Sequence, residues 1–519
     1  MIARLYRYTL ALLIVSCGLS AALAEPVRLI EPIDFGPILT KDDVKRLPPR
    51  PLNLRPGTQQ LPGIRTLFSL PNDPFFVKQW YFHNVGQPDE KGQIGIPGAD
   101  IKLYPALSVF AAQREVTLAI VDSGLDLKHE DVSADVLWTN EGECGLDDNG
   151  EDKGTNGVDD DGNGYIDDVH GWNFVKDDNF VQDRHYHGTH VNGLLSAVVD
   201  NEVGLAGGFQ PLKIMLVKIF GLGATATRDQ IAKGIRYAAD NGAHVVSCSW
   251  GSATINGNIR QAIAHCHDKG VLVCCASGNS RKNLDLEHDY PACYDIPNQV
   301  IVGATDNRDL PALFANYGSI VDIAAPGNHI FSLMPKSRYR AMSGTSQACP
   351  MVAAAAAMLM AQEPALTHMQ IKEKLLESAD KFVSLKRWVP GAGRLNVYNL
   401  LTNKPGKELP KSPEGTWVQK SYELESKHPY AYNSDENYVV EVPGARFIRV
   451  HFARFDFDTH SDYLTVSASD GTVIERLNAS LGEMWTEPVP GDKVKLHLIS
   501  NNIVNSWGFK VDAVEYITD

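Results

Sequence analysis

Positive charge is scarce in this sequence. Its 519 residues carry 48 Lys and Arg against 63 Asp and Glu, a net charge of -15. Nucleic-acid binding needs a basic face, so no nucleic-acid partner is expected. Long apolar runs are scarce too. Beyond the N-terminus no stretch reaches the ~18 apolar residues that cross a membrane, and the run from Met351 to Ala361 is too short. No membrane span is expected. Of the eight cysteines, setting Cys17 aside leaves an odd seven, so an exported chain keeps at least one thiol unpaired. Cys248, Cys274 and Cys275 lie in apolar strand-like runs and read as buried free cysteines. Cys144 and Cys293 fall in loop-like segments, and no pairing follows.

What is present divides the chain, whose length suits two or three domains. Residues 1–24 read as a signal peptide: Arg4 and Arg7, an apolar core from Leu10, then Ala22-Leu23-Ala24 before Glu25. A secreted protein is expected. The alternative is a lipid anchor through Cys17, because Ile14-Val15-Ser16-Cys17 has the form of a lipoprotein box. Residues 25–71 form a Pro-rich leader or propeptide with little periodicity, expected to be extended. Order is expected from Asn72-Asp73-Pro74-Phe75-Phe76 onward.

From about residue 100, apolar strands alternate with helical patterns. Strands are predicted at 116–121, 213–220, 245–250, 271–276 and 300–304, and helices at 227–241 and 259–267. Strands apolar on both faces and alternating with helices imply an α/β fold, a doubly wound parallel sheet covered on both sides. Active residues of such sheets gather at the strands' carboxyl ends, where Asp122, Ser249-Trp250-Gly251 and Ser277-Gly278-Asn279 stand. Residues 402–415 read as a linker, and 416–519 as a small all-β sandwich.

Ser343-Gly344-Thr345-Ser346 is a small turn before an Ala-rich apolar segment, which sets Ser346 at a helix N-terminus with Pro350 expected in the first turn. Alone this is a helix cap. With Asp122 at a strand end and His187 in His187-Gly188-Thr189-His190-Val191, it becomes a nucleophile, a base and an orienting carboxylate. Asn279 adds an amide able to donate to a developing oxyanion.

At these residues the sequence resembles the subtilisin-like serine proteases, with the same chain order Asp, His, Ser. The resemblance covers roughly residues 73–400 and makes 72–401 a catalytic domain. It implies Asp122, His187 and Ser346 as a catalytic triad, and Asn279 with the Ser346 N–H as an oxyanion hole. Gly221-Leu222-Gly223 and Ser249-Trp250-Gly251 resemble the strands that flank an extended peptide, protein or peptide substrates pairing through their backbone. Three features depart from the pattern. Cys349 stands where a smaller residue is common. The leader is short for a folded pro-domain. Asp73-Pro74, Gln79-Trp80 and Trp250 resemble the proprotein-convertase branch, whereas the C-terminal region does not. Asp289 reads as a solvated loop carboxylate; the alternative is an acid beside the pocket for the residue preceding the cleaved bond, where it would favour a basic side chain.

The segment from Glu141 to Asp168 holds 11 Asp and Glu and one Lys. Within it, Asp159, Asp161, Asn163, the Tyr165 backbone and Asp167 follow the alternating ligand spacing of a calcium loop, although His170 occupies the twelfth position, so the loop is not a full EF-hand. Asp147, Asp148 and Asp152 suggest a second ion. The family resemblance adds Asp131 and Asn201 as a further Ca2+ site. Asp458, Asp462 and Asn501 resemble a CUB-like module, which binds a partner, a substrate or a surface, or caps the enzyme. Asn478-Ala479-Ser480 is a glycosylation sequon. The resulting expectation is a secreted, calcium-stabilised serine endopeptidase. The alternatives are a selective processing protease and an inactive binding protein.

Overall fold

The computed structural model describes residues 27–30, 34–46, 57–59, 68–209, 212–391, 393–458 and 461–518. The segment expected to be a signal peptide and Cys17 lie outside the described residues. Seven strands form one parallel sheet in the spatial order Ile323–Pro326, Gln299–Thr305, Leu272–Ala276, Val245–Cys248, Val116–Asp122, Leu212–Lys218, Gly171–Asn173. Every residue of Val116–Asp122 and of Gln299–Thr305 is buried, as strands covered on both faces require.

The helix Arg228–Asp240 opens with a reciprocal cap between Thr227 and Gln230. It buries Ile231, Ile235, Ala238 and Ala239, and Gly242 follows at φ 83°. The longest helix, Thr345–Gln362, is buried along its whole length to Ala361. A helix that is apolar all round has to be buried, and its alanines let it lie close to the strands. Pro350 is not in the first turn but well inside the helix. A proline there donates no bond to the carbonyl four residues back, which is that of Ser346, and Ser249 Oγ donates to this carbonyl instead, at 3.1 Å.

Order begins well before Asn72. Arg28 and Leu29 pair antiparallel with Gly251 and Trp250. Residues 34–35 pair with Met342 and Ser343 in the strand Arg338–Ser343, and Leu39 exchanges backbone bonds with Tyr339. Two-residue strands carry no period for a sequence reading to detect, because their partners lie some 200 to 300 residues away. The hairpin Ile330–Met334/Arg338–Ser343, also missed, delivers the chain into the Ser346 turn.

The C-terminal region is two antiparallel sheets, of five and four strands, closed around Val450, Phe452, Leu464, Val466, Leu496, Leu498, Phe509 and Val511. It docks on the α/β domain. Arg476 pairs with Asp306 at 2.9 Å and donates to the Pro311 carbonyl, and Arg387 pairs with the buried Glu475 at 3.2 Å. Asn478 is buried in that junction and donates to the Leu313 carbonyl, so the sequon does not present an exposed amide. All seven cysteines of the described residues are free. Among the described residues no helix is long and apolar enough to cross a membrane.

One buried ion cluster ties the N- and C-terminal parts of the α/β domain. Arg394, 1% exposed, pairs with Asp309 at 2.5 Å and Asp380 at 3.0 Å and donates to the Gly98 carbonyl. Arg394→Met strands two carboxylates and is expected to cost about 3–5 kcal/mol, read as a clear drop in melting temperature; an unchanged melting temperature contradicts this role.

Candidate active site

Asp122 ends its strand on the carboxyl edge of the sheet, 1% exposed, with Oδ1 accepting from the Ser123 N–H at 2.7 Å. The helix His187–Ser196 starts against that edge. The approach is close because two glycines allow it: a Cβ on Gly188 would fall 2.3 Å from the Gly124 carbonyl oxygen, and Gly124, at φ 96°, would bring one within 2.0 Å of the Val181 carbonyl oxygen. Asp183 caps the helix, accepting from the N–H groups of His185 and Tyr186 and from both Thr189 donors. A carboxylate there also suits the positive end of the helix dipole. His187 is buried with Nδ1 3.0 Å from each oxygen of Asp122. That bond makes Nδ1 the protonated nitrogen and leaves Nε2 as the basic one.

Ser346 is the second residue of the longest helix, after Gly344. Gly344 is extended rather than left-handed, and glycine is needed for space: a Cβ would sit 2.7 Å from Gln347 Oε1 and 2.9 Å from Asn279 Nδ2. Asn279 Oδ1 accepts from the N–H and the hydroxyl of Thr345, and Thr345 Oγ1 accepts from the Gly278 N–H. The amide nitrogen of Asn279 therefore lies on the Gly344 side of the serine turn. The two helices meet one turn beyond His187, where His190 Nδ1 is 3.5 Å from Gln347 Nε2. Cys349 Sγ packs between Ser247 and the Cys248 carbonyl.

The leader runs through this site. The Ile30 N–H donates to the Ser249 carbonyl at 3.3 Å, and Ser346 Oγ donates to the Ile30 carbonyl at 2.7 Å. Val27, Leu29 and Ile30 are buried. Beyond Ile30, Phe35 stacks edge-on to Tyr186, the residue before His187, and Gly36 bonds to the Ala341 carbonyl. Ser249, Trp250 and Gly251 thus carry an extended chain. Gly221 instead pairs with Ala224, and Leu222 and Gly223 form an exposed turn. Ile30 is a site residue that no local signal in the sequence marks.

In the acidic segment, Asp159 and Asp161 meet Glu143, with one oxygen of each within 4.8 Å of the others. Glu143 was not singled out from the sequence. It is fully buried; Oε1 accepts from the N–H groups of Asp160 and Asp161, and Oε2 has no hydrogen-bond partner. Asn163 Oδ1 accepts from the Tyr165 N–H, and the Tyr165 ring packs on Trp172, Phe174 and Tyr237. Asp167 Oδ1 accepts from the Gly157 N–H. Asn201 Nδ2 donates to Asp131 at 3.0 Å, and burial pushes the Asp131 carboxyl up to about 8.

Residues 113–410 match the Subtilase family model, more than half of the chain. Thermitase of Thermoactinomyces vulgaris is 32% identical over 63% of this chain and 98% of its own length. Subtilisin Savinase of Lederbergia lenta is 36% identical over 44% of this chain and 81% of its own. The cell wall-associated protease of Bacillus subtilis (strain 168) is 34% identical over 67% of this chain, which spans about a third of that protein (34%). The chain belongs to the subtilase family and is a serine endopeptidase.

His190 yields a pH prediction. Burial holds its imidazole down at about 3, with Nε2 donating to the Arg340 carbonyl. Below pH 6.5 the unfolded chain takes a proton that the folded one refuses, so stability falls as pH drops from about 6.5 toward 3. At pH 4.5 the loss from this group is about 2–3 kcal/mol relative to pH 7. Urea unfolding at both pH values should show a smaller drop in His190→Gln than in the native chain; equal drops rule the attribution out.

Proposed function

We propose that this protein is an exported, calcium-stabilised serine endopeptidase that works through an acyl-enzyme on Ser346 and is held as a zymogen by its own leader. The observation that carries the reading is the carbonyl of an extended chain, that of Ile30, on Ser346 Oγ, together with the buried Asp122–His187 pair. A peptide substrate lies along Ser249–Gly251 in the same way. Ser346 Oγ attacks the carbonyl carbon while His187 Nε2 takes the hydroxyl proton, and Asp122 stabilises the imidazolium that forms. The Asn279 amide and the Ser346 N–H stabilise the oxyanion. His187 returns the proton to the leaving amine, and water, activated by the same imidazole, hydrolyses the ester. Export rests on the N-terminal segment. The C-terminal sandwich acts as a cap, a reading supported by Arg476 and Asn478 at the junction.

Calcium fits the residues present. Glu143, Asp159 and Asp161 would hold it, and the buried, partnerless Glu143 Oε2 is the atom a hard cation would satisfy. Asp131 and Asn201 would hold a second ion. The ions are structural in this reading and take no part in the steps above. Chelation is expected to lower the melting temperature, and Glu143→Gln to remove most of the calcium-dependent rise; a calcium response identical in the variant rules this site out.

A fluorophosphonate probe tests the catalytic reading in the full chain. Leu29→Asp, which unseats the leader strand, should label faster than the native chain, and Ser346→Ala should not label at all. Asp122→Asn is expected to lower kcat about 10^4-fold. Absence of labelling in calcium-loaded Leu29→Asp overturns the reading in favour of a binding protein.

A further inference from the structure

The carboxylate of Asp289 is withdrawn from solvent, and one of its oxygens is unsatisfied. The residue is 8% exposed, and Oδ1 is buried with no hydrogen-bond partner. Mutual backbone bonds between Ser252 and Tyr290, both 2.8 Å, hold it beside the strand on which the leader lies. Its place relative to that chain follows from the pairing. Residues directly opposite in an antiparallel pair project to one face, and so do residues two apart along a strand. Arg28 is opposite Gly251, so Arg28 and Ile30 project to the face on which Gly251 lacks a side chain. On that face a Gly251 Cβ would lie 2.9 Å from Asp289 Oδ1.

The second wall is Gly278. Its Cβ would lie 3.3 Å from Asp289 Oδ2, and its N–H is tied to Thr345, beside Ser346. Asp289 therefore closes a slot between two glycine walls, at the end that the Ile30 position faces. Arg28 projects to the same side but is exposed, whereas Ile30 is 7% exposed. Arg28 and Lys282 are the cations whose charge reaches Asp289, and neither overcomes the effect of burial, which raises its carboxyl.

Resting on the reading of Ser346 as the nucleophile, we propose that Asp289 selects a Lys or Arg side chain in the substrate residue whose carbonyl Ser346 attacks. An ammonium or guanidinium reaching down the slot pairs with a carboxylate that is already desolvated, and a neutral side chain leaves that charge uncompensated. Losing one partner of a buried charge pair is costly. Ile30 is such a neutral residue, so the leader occupies the slot without neutralising Asp289, which suits a blocking segment better than a rapidly cleaved one.

The test uses the full chain carrying Leu29→Asp and fluorogenic peptides Val-Arg-Leu-X with X as Arg, Lys, Leu or Ile. With Arg and Lys, kcat/KM should exceed that with Leu and Ile by at least about 50-fold. Asp289→Asn should bring the ratio to within a few-fold, the Arg- and Lys-peptide rates falling and the Leu-peptide rate rising, while fluorophosphonate labelling persists. A Leu peptide cut as fast as the Arg peptide, or a preference that survives Asp289→Asn, overturns the assignment while intact labelling leaves the protease reading standing. Loss of labelling in the Leu29→Asp chain sinks the protease reading and this assignment with it.

Discussion

The burial of one helix governs the arrangement at the carboxyl edge of the sheet. Thr345–Gln362 has no polar face to turn to solvent, so it can exist only inside the domain, against the strands. Once it is there, its N-terminus points at the carboxyl edge of the sheet, where the positive end of the helix dipole tolerates negative charge best and Asn279 Oδ1 takes the Thr345 N–H. Pro350 carries the constraint further. By withholding a bond from the Ser346 carbonyl it lets Ser249, on the strand that carries the extended chain, anchor the serine turn directly. Ser346 and the strand that carries the extended chain are thereby fixed to each other and not merely to a common scaffold.

Close approach is the second constraint. Asp122 reaches His187 because Gly124 and Gly188 remove the side chains that would separate strand from helix, and Asn279 reaches the serine turn because Gly344 removes another. Each glycine in these motifs marks a place where two backbones, or a backbone and an amide, come within van der Waals distance. Gly251 and Gly278 do the same for the slot that ends at Asp289. An excess of acid elsewhere in the chain is handled differently: Asp168 is buried with Tyr237 and Asn140, while Glu143 keeps one oxygen without a partner.

The leader shows how weakly local sequence reports on non-local pairing. Arg28–Leu29 is too short for a strand period, and its partner lies at Trp250–Gly251. The chain fills its own cleft on both sides of Ser346, with Val27 and Leu29 buried in the same apolar cluster as Trp250 and residues 34–39 along the strand that leads into the serine turn. A tethered strand needs little intrinsic affinity to stay there, since its effective concentration is high.

The parallel sheet, the order of its central strands' helices, the capping of Arg228–Asp240 and the four motifs around Asp122, His187, Asn279 and Ser346 were all determined by the sequence alone. Each depends on contacts within one turn, or on apolar periodicity that survives in any fold burying the same faces. The tertiary structure decided the rest. It placed Pro350 inside the helix, set Ile30 on Ser346, joined Glu143 to Asp159 and Asp161, buried the Asn478 sequon in a domain junction and turned Asp289 from a loop carboxylate into the end of a slot. Ile30 and Asn478 meet partners 316 and 165 residues away, and only chain closure brings them together.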